Sequence, residues 1–402
     1  MKLLILTILA VATISGQGQT FQDFLNRGEA EAAKNSLSLS LKQQPANDAI
    51  RMERDMATVI AGIEHLMQQA LAHGIHNPAA GVYGLPQVSS GATVSYTQVR
   101  DWLKELQNTL EQASTSLEQI QDISAFRFTL DVTTIQFKIN NGTNGLVPIS
   151  DARLSGLSRF SLYSMPVPAN TNNKDGKVQV GVADARWLEG YCKLVSATID
   201  CLLAYNEENC FNHAAHLFFD HPVTPFGDTL ISTNQAMGFN FDSIMDAVAL
   251  IHTINFSVQD AARLQHALAN LEGTIAQSRR MVKLLASQDA SAQHWLAGPG
   301  QRSVTGRPVT AEMLSQWGQV LEHTQAILDG KELAPYWRNA PGKGVNVRKL
   351  FTEPKDFDLV LWLQGTGAIP YLEEGAPITI TEWGQSTKAF NGQFLFYAFW
   401  FN

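Results

Sequence analysis

The sequence predicts a mainly α protein with a minor β component, built as an irregular helical array. Apolar residues recur every three or four positions over most of the chain, which is the spacing of helices that bury one face. Alternation of apolar and polar residues, which indicates a strand, is confined to residues 126–139 and to the tail after Ile378. Hydrophobic residues make up 45% of the composition, so the chain can bury a sizeable core.

The first residues have the order of a secretory signal peptide. Lys2 precedes an apolar run from Leu3 to Ile14, and small polar residues follow that run. The run is shorter than the roughly 20 residues that span a bilayer, so the sequence predicts no transmembrane anchor. We expect residues 1–18 to be removed and the protein to be exported, either to the periplasm or out of the cell.

Residues 19–124 are predicted to form a helical, repeat-like region. A helix pair over 21–44, broken near Gly28, has the residue spacing of a tetratricopeptide repeat, although no second copy follows it. Amphipathic helices are predicted over 47–74 and 96–123. Because repeats of this kind stack into extended surfaces that bind other proteins, the region favours a protein partner.

Residues 125–183 are predicted to hold a strand near 126–139 and then an irregular insertion rich in Asn, Gly, Ser and Pro. A helical main domain is predicted over 184–376, and Asp184 is expected to cap its first helix. Its helices are predicted at 184–205, 208–219, 241–255, 258–287 and 310–329. The aromatic tail over 377–402 is predicted to be a β-hairpin packed on this domain, because an isolated hairpin is not stable alone.

Charge and cysteine usage exclude some classes of protein. The net charge of −8 argues against binding to nucleic acid. Three cysteines do not make a disulfide scaffold. A turn between Cys201 and Cys210 makes these two the candidate disulfide, and buried thiols are an equally good interpretation.

A group of histidines is the candidate metal site. His213 and His216 are three residues apart, and Asp220 follows closely. Two imidazoles and a carboxylate could hold zinc with an open position, as in a metal-dependent hydrolase. No His-Glu-x-x-His motif accompanies them, so structural histidines are favoured and no cofactor is predicted.

A cluster of polar-tipped aromatic and basic residues is the candidate binding site for a small ligand or a carbohydrate. Such side chains combine an apolar body with a polar tip, and a buried core is the alternative interpretation. The candidate residues are Trp337, Arg338, Arg348, Trp362, Gln364 and Tyr371.

Three pairs of blocks resemble an uncharacterised family of exported bacterial proteins. The blocks are Ala185–Cys192 with Ala215–Phe219, Pro335–Arg338 with Asn346–Phe351, and Phe357–Gly365 with Ile369–Glu373. The resemblance implies export and assigns no reaction. Some members carry a calcium-loop-like segment before the first block, but here Val182 stands where calcium requires a bidentate Glu, so calcium is not expected.

The sequence thus favours an exported binding or structural protein without enzymatic activity. The alternatives are a metal-dependent hydrolase that uses His213, His216 and Asp220, and a protein that binds a small ligand or a carbohydrate at the aromatic cluster.

Export predicts where the mature chain begins. Mass spectrometry of secreted material should find an N-terminus after Ala12 and before about residue 20, because the small residues there suit signal peptidase. Mature protein that still carries Met1 would contradict export by this route.

Overall fold

The computed structural model describes residues 19–75, 91–139, 146–148, 176–227, 241–289, 292–303, 306–338, 341–392, 394 and 397–398. The predicted signal peptide and most of the predicted insertion lie outside these residues. Within them the fold is mainly helical with a minor β component, as predicted. None of the helices in the described part of the chain is long and apolar enough to cross a membrane.

Helices account for most of the described structure. They are α1 (Phe21–Asn26), α2 (Ala30–Gln43), α3 (Asp48–Ala72), α4 (Tyr96–Leu117), α5 (Val182–Leu203), α6 (Glu208–Ala214), α7 (Phe241–Thr253), α8 (Ala261–Ala286), α9 (Ala311–Leu328), α10 (Val347–Thr352), α11 (Leu359–Gln364) and α12 (Ile380–Ser386). Short 3-10 helices cover Ala215–Leu217, Thr366–Tyr371 and Lys388–Phe390.

The strands are short and form small antiparallel sheets. They are β1 (Phe128–Asp131), β2 (Gln136–Lys138), β3 (Leu146–Pro148), β4 (Lys177–Val180), β5 (Tyr205–Asn206), β6 (Asn255–Val258), β7 (Lys343–Val345), β8 (Phe357–Asp358) and β9 (Leu372–Glu374). β1 pairs with β4, β2 with β3 and β7 with β9, while β6 lies between β5 and β8. The strand predicted near 126–139 is therefore present as β1 and β2.

Local capping residues set where the long helices begin. The side chains of Asn47, Ser95 and Thr310 each accept a hydrogen bond from the backbone N–H three residues later. As a result α3, α4 and α9 begin within one residue of their predicted positions. Gly28 separates α1 from α2 with a φ of 63°, a left-handed conformation that favours glycine.

The hairpin predicted over 377–402 is wrong, because the described part of this segment contains α12. The Thr379 hydroxyl accepts a hydrogen bond from the Glu382 N–H, and the Glu382 carboxylate accepts one from the Thr379 N–H. This capping box begins a helix where the alternating residues predicted a strand. The described part of the tail contacts the helices, since Phe390 is buried edge-on against Trp317 of α9.

Two hydrophobic cores share α5. The first lies among α1 to α5 with β1 and β4, and the second lies among α8, α9, α12 and the tail. α5 contributes Leu188 and Cys192 to the first core and Ala183 to the second. It also packs along α8, where the Thr274 hydroxyl donates to the Gly190 carbonyl at 3.2 Å. The cores therefore do not divide between residues 183 and 184, where the sequence placed a domain boundary.

A buried group of charges joins α5 to its neighbours, α4 and α8. The side chain of Arg186 on α5 has no exposed surface. Its guanidinium donates to Asp122 at 2.8 Å, to Glu189 at 2.7 Å and to the carbonyl oxygen of Ile120. Arg280 of α8 donates to the same Asp122 carboxylate at 2.7 Å. A buried charge is costly unless it is paired and hydrogen-bonded, so these contacts fix the positions of the elements they join.

Asp184 lies in the first turn of α5 rather than at its N-cap. The N-cap residue is Gly181, whose N–H donates to the Asp184 carboxylate at 2.7 Å. The other carboxylate oxygen accepts the N–H of Leu296 at 3.1 Å. Asp184 therefore fastens the start of α5 to the loop that follows α8, which differs from the predicted capping role.

A further buried carboxylate belongs to Glu64 of α3, which is 5% exposed. It accepts the N–H of Lys138 in β2 at 2.7 Å. Burial raises the pKa of Glu64 from 4.5 to about 7. The stabilising contribution of the protonated carboxyl is therefore fully present below pH 4.5 and is lost as the pH rises through about 7.

We predict that Glu64→Gln stabilises the protein above neutral pH, because the amide is uncharged and keeps an oxygen for the Lys138 N–H. Its free energy of unfolding should exceed that of the parent protein by about 1–3 kcal/mol near about pH 8, and the two should agree near about pH 4. Urea unfolding at both pH values measures this difference, with Glu322→Gln at an exposed position of α9 as the control. Equal stabilities near about pH 8 would contradict the prediction.

Candidate ligand-binding site

The predicted aromatic cluster is present, and its rings pack against one another. The indole of Trp362 stacks on Phe357 at 6.3 Å and on Tyr371 at 5.9 Å, measured between ring centroids. Tyr336 meets the same indole edge-on at 6.1 Å. Tyr371 is buried, and its hydroxyl accepts the N–H of Lys355. Trp362 and Tyr371 therefore belong to a packed cluster, which is the alternative that the sequence left open.

The remaining candidates of this cluster do not converge on a cavity. Trp337 is 70% exposed, with the guanidinium of Arg338 lying 5.5 Å from its ring centroid. Arg338 also donates to the backbone carbonyl of Gln364, whose side chain accepts from Thr366 instead. Arg348 lies elsewhere and binds Glu272 of α8 and the carbonyl of Leu328, each at 3.1 Å.

The candidate zinc ligands also point in different directions. His213 lies against Asn209 and packs on Phe226, whereas His216 faces Asp246 at 3.5 Å. Asp220 lies beside Gly74, at the other end of this segment. α6 ends at Ala214 and a 3-10 turn follows, so the two histidines do not share one helix face. Among the described residues no group of three His, Cys, Asp or Glu side chains is placed to hold a metal ion.

The candidate disulfide between Cys201 and Cys210 is not formed in the structure, and free thiols are the equally favoured interpretation. Cys192, Cys201 and Cys210 are all free thiols, and Cys192 is fully buried. The thiol of Cys210 interacts with the side chain of Thr253 in α7. Burial raises the pKa of the Cys210 thiol, which disfavours the reactive thiolate.

An apolar pocket lies between α4, the end of α5 and α6, and we name it the α4–α6 pocket. Its volume is about 240 Å³. Leu202 and Phe218 are partly exposed at its rim, being 48% and 37% accessible. The inner wall is formed by Val99, Leu103, Phe211, Ala214, Ala215 and Phe219. The surface that a ligand would meet is therefore almost entirely hydrocarbon.

One end of the α4–α6 pocket is closed by a hydrogen-bonded ion pair. Arg100 of α4 donates to the Glu207 carboxylate at 2.7 Å and to the carbonyl of Leu203, also at 2.7 Å. The Tyr96 hydroxyl donates to the same carboxylate at 2.8 Å. Burial raises the pKa of Tyr96 to about 12 and also raises the pKa of Glu207. The two charges compensate each other, so this end of the pocket carries no net charge.

Helix caps and spacing explain how the walls of the pocket are placed. Ser95 caps α4 and forms a capping box with Gln98, which fixes where the helix begins. Tyr96, Val99 and Leu103 are spaced by three and four residues, so they lie on one face of α4 and line the pocket. The sequence did not reveal this pocket, because its walls come from segments about a hundred residues apart. The only local signal is the spacing of Tyr96 and Arg100, one helical turn apart.

A second cleft, of about 360 Å³, lies against other residues of α6 and is lined by polar residues. The β5–β6 register pairs Asn206 with Ser257, and Asn255 falls on the same face of β6 as Ser257. We name it the asparagine cleft, and its lining side chains are Asn206, Glu208, Asn209, Asn212, Asn255 and Ser257.

Comparisons of the chain with protein families, with curated proteins and with solved structures found no match.

Free thiols predict the outcome of cysteine labelling. Alkylation of denatured, unreduced protein should label all three cysteines, and alkylation of the folded protein should spare Cys192 because that side chain has no exposed surface. Intact mass spectrometry counts the labels. Recovery of a single label from denatured, unreduced protein would show that Cys201 and Cys210 are bonded after all.

Proposed function

We propose that this protein is a binding protein that holds a small, uncharged, apolar group in the α4–α6 pocket. The observation that carries the proposal is the nearly continuous hydrocarbon lining of a pocket of about 240 Å³. Concave, mostly apolar sites with a few fixed polar groups are the usual form of small-molecule sites in proteins.

The size of the pocket limits what it can hold. An apolar cavity of roughly 150 Å³ accepts benzene, so this larger pocket has room for a ring with a few more carbons or for a chain of about eight carbons. Burial of each CH₂ group contributes about 0.8 kcal/mol, so such a chain gains roughly 6 kcal/mol. The dissociation constant should then be no lower than some tens of micromolar, on the order of 10⁻⁵ to 10⁻⁴ M.

The preference for an uncharged ligand follows from the ion pair. The Arg100 guanidinium already binds Glu207 and the Leu203 carbonyl, so it has little capacity left for an anionic ligand. A charged ligand would lose its hydration without gaining a partner, and that cost opposes its binding.

The location of the protein is part of the proposal. The signal-like N-terminus and the resemblance to exported bacterial proteins support a role outside the cytoplasm. The stacked helices of the N-terminal region remain our proposed surface for a protein partner. We propose no metal-dependent reaction, since His213, His216 and Asp220 lie apart.

Titration calorimetry with n-octanol and with octanoate tests the pocket, because the two probes share a chain and differ in charge. We expect n-octanol to bind in the range given above and octanoate to bind at least about tenfold more weakly. Val99→Trp should abolish octanol binding by filling the pocket. Leu39→Trp, at an exposed position of α2, is the matched control and should leave binding unchanged.

Two results would overturn the proposal. One is the absence of octanol binding to the parent protein, and the other is undiminished octanol binding to a folded Val99→Trp variant.

A neutral saccharide is the second candidate ligand, and the asparagine cleft favours it. Within the described residues the side chains of Asn209, Asn212 and Asn255 make no hydrogen bonds to protein. Each amide offers two donors and an acceptor, which suits adjacent sugar hydroxyls. Aromatic rings are missing from the lining of this cleft, so we expect weak affinity, with a dissociation constant on the order of 1 mM.

Calorimetry with maltopentaose and with chitotriose tests this second site. Asn209→Ala and Asn255→Ala should each weaken binding, while Asn108→Ala, at an exposed position of α4, should not. If neither saccharide binds at about 10 mM, the asparagine cleft is not a saccharide site.

A further inference from the structure

Exposed apolar side chains are concentrated in one part of the described structure. Most of the large hydrophobic residues with accessible surface lie in residues 202–251 or 337–369. The densest group belongs to α7 and α11, two helices that contact each other. Contiguous apolar surface on a soluble protein marks an interaction site.

The apolar residues of α7 form a stripe along one side of the helix. Ile244, Val248 and Ile251 follow one another at spacings of four and three residues, which is the spacing of the seam in paired helices. They are 50%, 54% and 47% exposed, so the described structure leaves about half of each residue uncovered. Met245, which is 42% exposed, lies beside Ile244 and widens the stripe at that end.

α11 widens this stripe into a face. Val360 and Leu363 of α11 are one helical turn apart and are both exposed, and together with the α7 stripe they define what we name the α7–α11 face. Each of its side chains leaves on the order of 80 Å² exposed, so the face presents roughly 500 Å² of apolar surface. Two copies of the face would bury about 1,000 Å² in total, which is the lower limit for a specific protein interface.

The composition of the two helices argues against a lipid surface as the occupant. Helices that lie on membranes are rich in Lys and Arg on their polar side. The segments Phe241–Thr253 and Leu359–Gln364 contain neither residue, and Asp246 adds a negative charge. A protein surface of matching apolar shape is the better partner.

We infer that the α7–α11 face binds the same face of a second copy of this chain, giving a twofold-symmetric dimer. A seam with the four-and-three spacing is complementary to an identical antiparallel helix, since each apolar ridge fits between those of its partner. In a twofold-symmetric contact the two copies use the same patch, so each copy covers the patch of the other. No additional chain is needed. Val248, at the middle of the stripe, lies close to the symmetry axis.

Sedimentation equilibrium of the full mature chain at about 1–100 μM tests this inference. The parent protein should be in monomer–dimer equilibrium with a dissociation constant in the micromolar range, on the order of 10⁻⁶ to 10⁻⁵ M. Val248→Asp should weaken dimerisation at least about a hundredfold, because it places a charge at the centre of the contact. Leu363→Glu should act in the same direction from the other helix.

Ile123→Asp is the matched control, because Ile123 is 93% exposed but lies outside the α7–α11 face. It should leave the dimer intact. The Val99→Trp variant should also remain dimeric, so failure of the α4–α6 pocket proposal and failure of this inference are distinguishable.

The inference would be overturned by a parent protein that is monomeric over the whole concentration range, whether the face then meets a different protein or none. It would also be overturned if Val248→Asp and Leu363→Glu fold with the parent's helical content and still dimerise with unchanged affinity.

Discussion

The buried guanidinium of Arg186 is the contact on which the arrangement of the helices depends. A charge without exposed surface is strongly destabilising unless every donor is satisfied, and here the acceptors come from α5 itself and from the segment after α4. Loss of one partner of such a pair costs about 3–5 kcal/mol, so the geometry tolerates little displacement. Arg280 of α8 also donates a hydrogen bond to the Asp122 carboxylate, so this carboxylate binds side chains of both α5 and α8.

The positions of both cores and of the α4–α6 pocket follow from this placement of α5. The start of α5 is held by Asp184 against the loop before α9, while its middle lies in the first core. Its last residues supply the wall of the pocket, and the Leu203 carbonyl at its C-terminus accepts from Arg100 of α4. The pocket therefore opens where the C-terminal end of α5 meets α4, and its shape is set by the contacts that orient α5. A ligand in this pocket would contact α4, α5 and α6 together.

Much of the fold could be predicted from the sequence because helices are specified locally. Amphipathic spacing and the caps at Asn47 and Ser95 place α3 and α4 without reference to the rest of the chain. Over the tail, apolar alternation predicts a strand, but the Thr379–Glu382 capping box, which is equally visible in the sequence, begins a helix there.

The sites were harder to predict, because they are built from distant segments. The Tyr96 hydroxyl and the Glu207 carboxylate belong to residues that are 111 positions apart in the sequence, and no short motif predicts their contact. Residues that are close in sequence, such as His213 and His216, were separated by a change from α to 3-10 geometry that their spacing does not reveal. The sequence pattern of the predicted main domain also does not indicate that its first helix, α5, contributes to the N-terminal core.

The central claim is that α5, held by Arg186, makes the two cores one cooperative unit, and scanning calorimetry tests it most directly. Separate domains would each unfold at their own temperature, whereas cores that share a helix and a buried ion network should unfold together. We expect one endothermic transition whose calorimetric and van't Hoff enthalpies agree. Two resolved transitions, one for the helices before residue 183 and one for those after it, would contradict the claim.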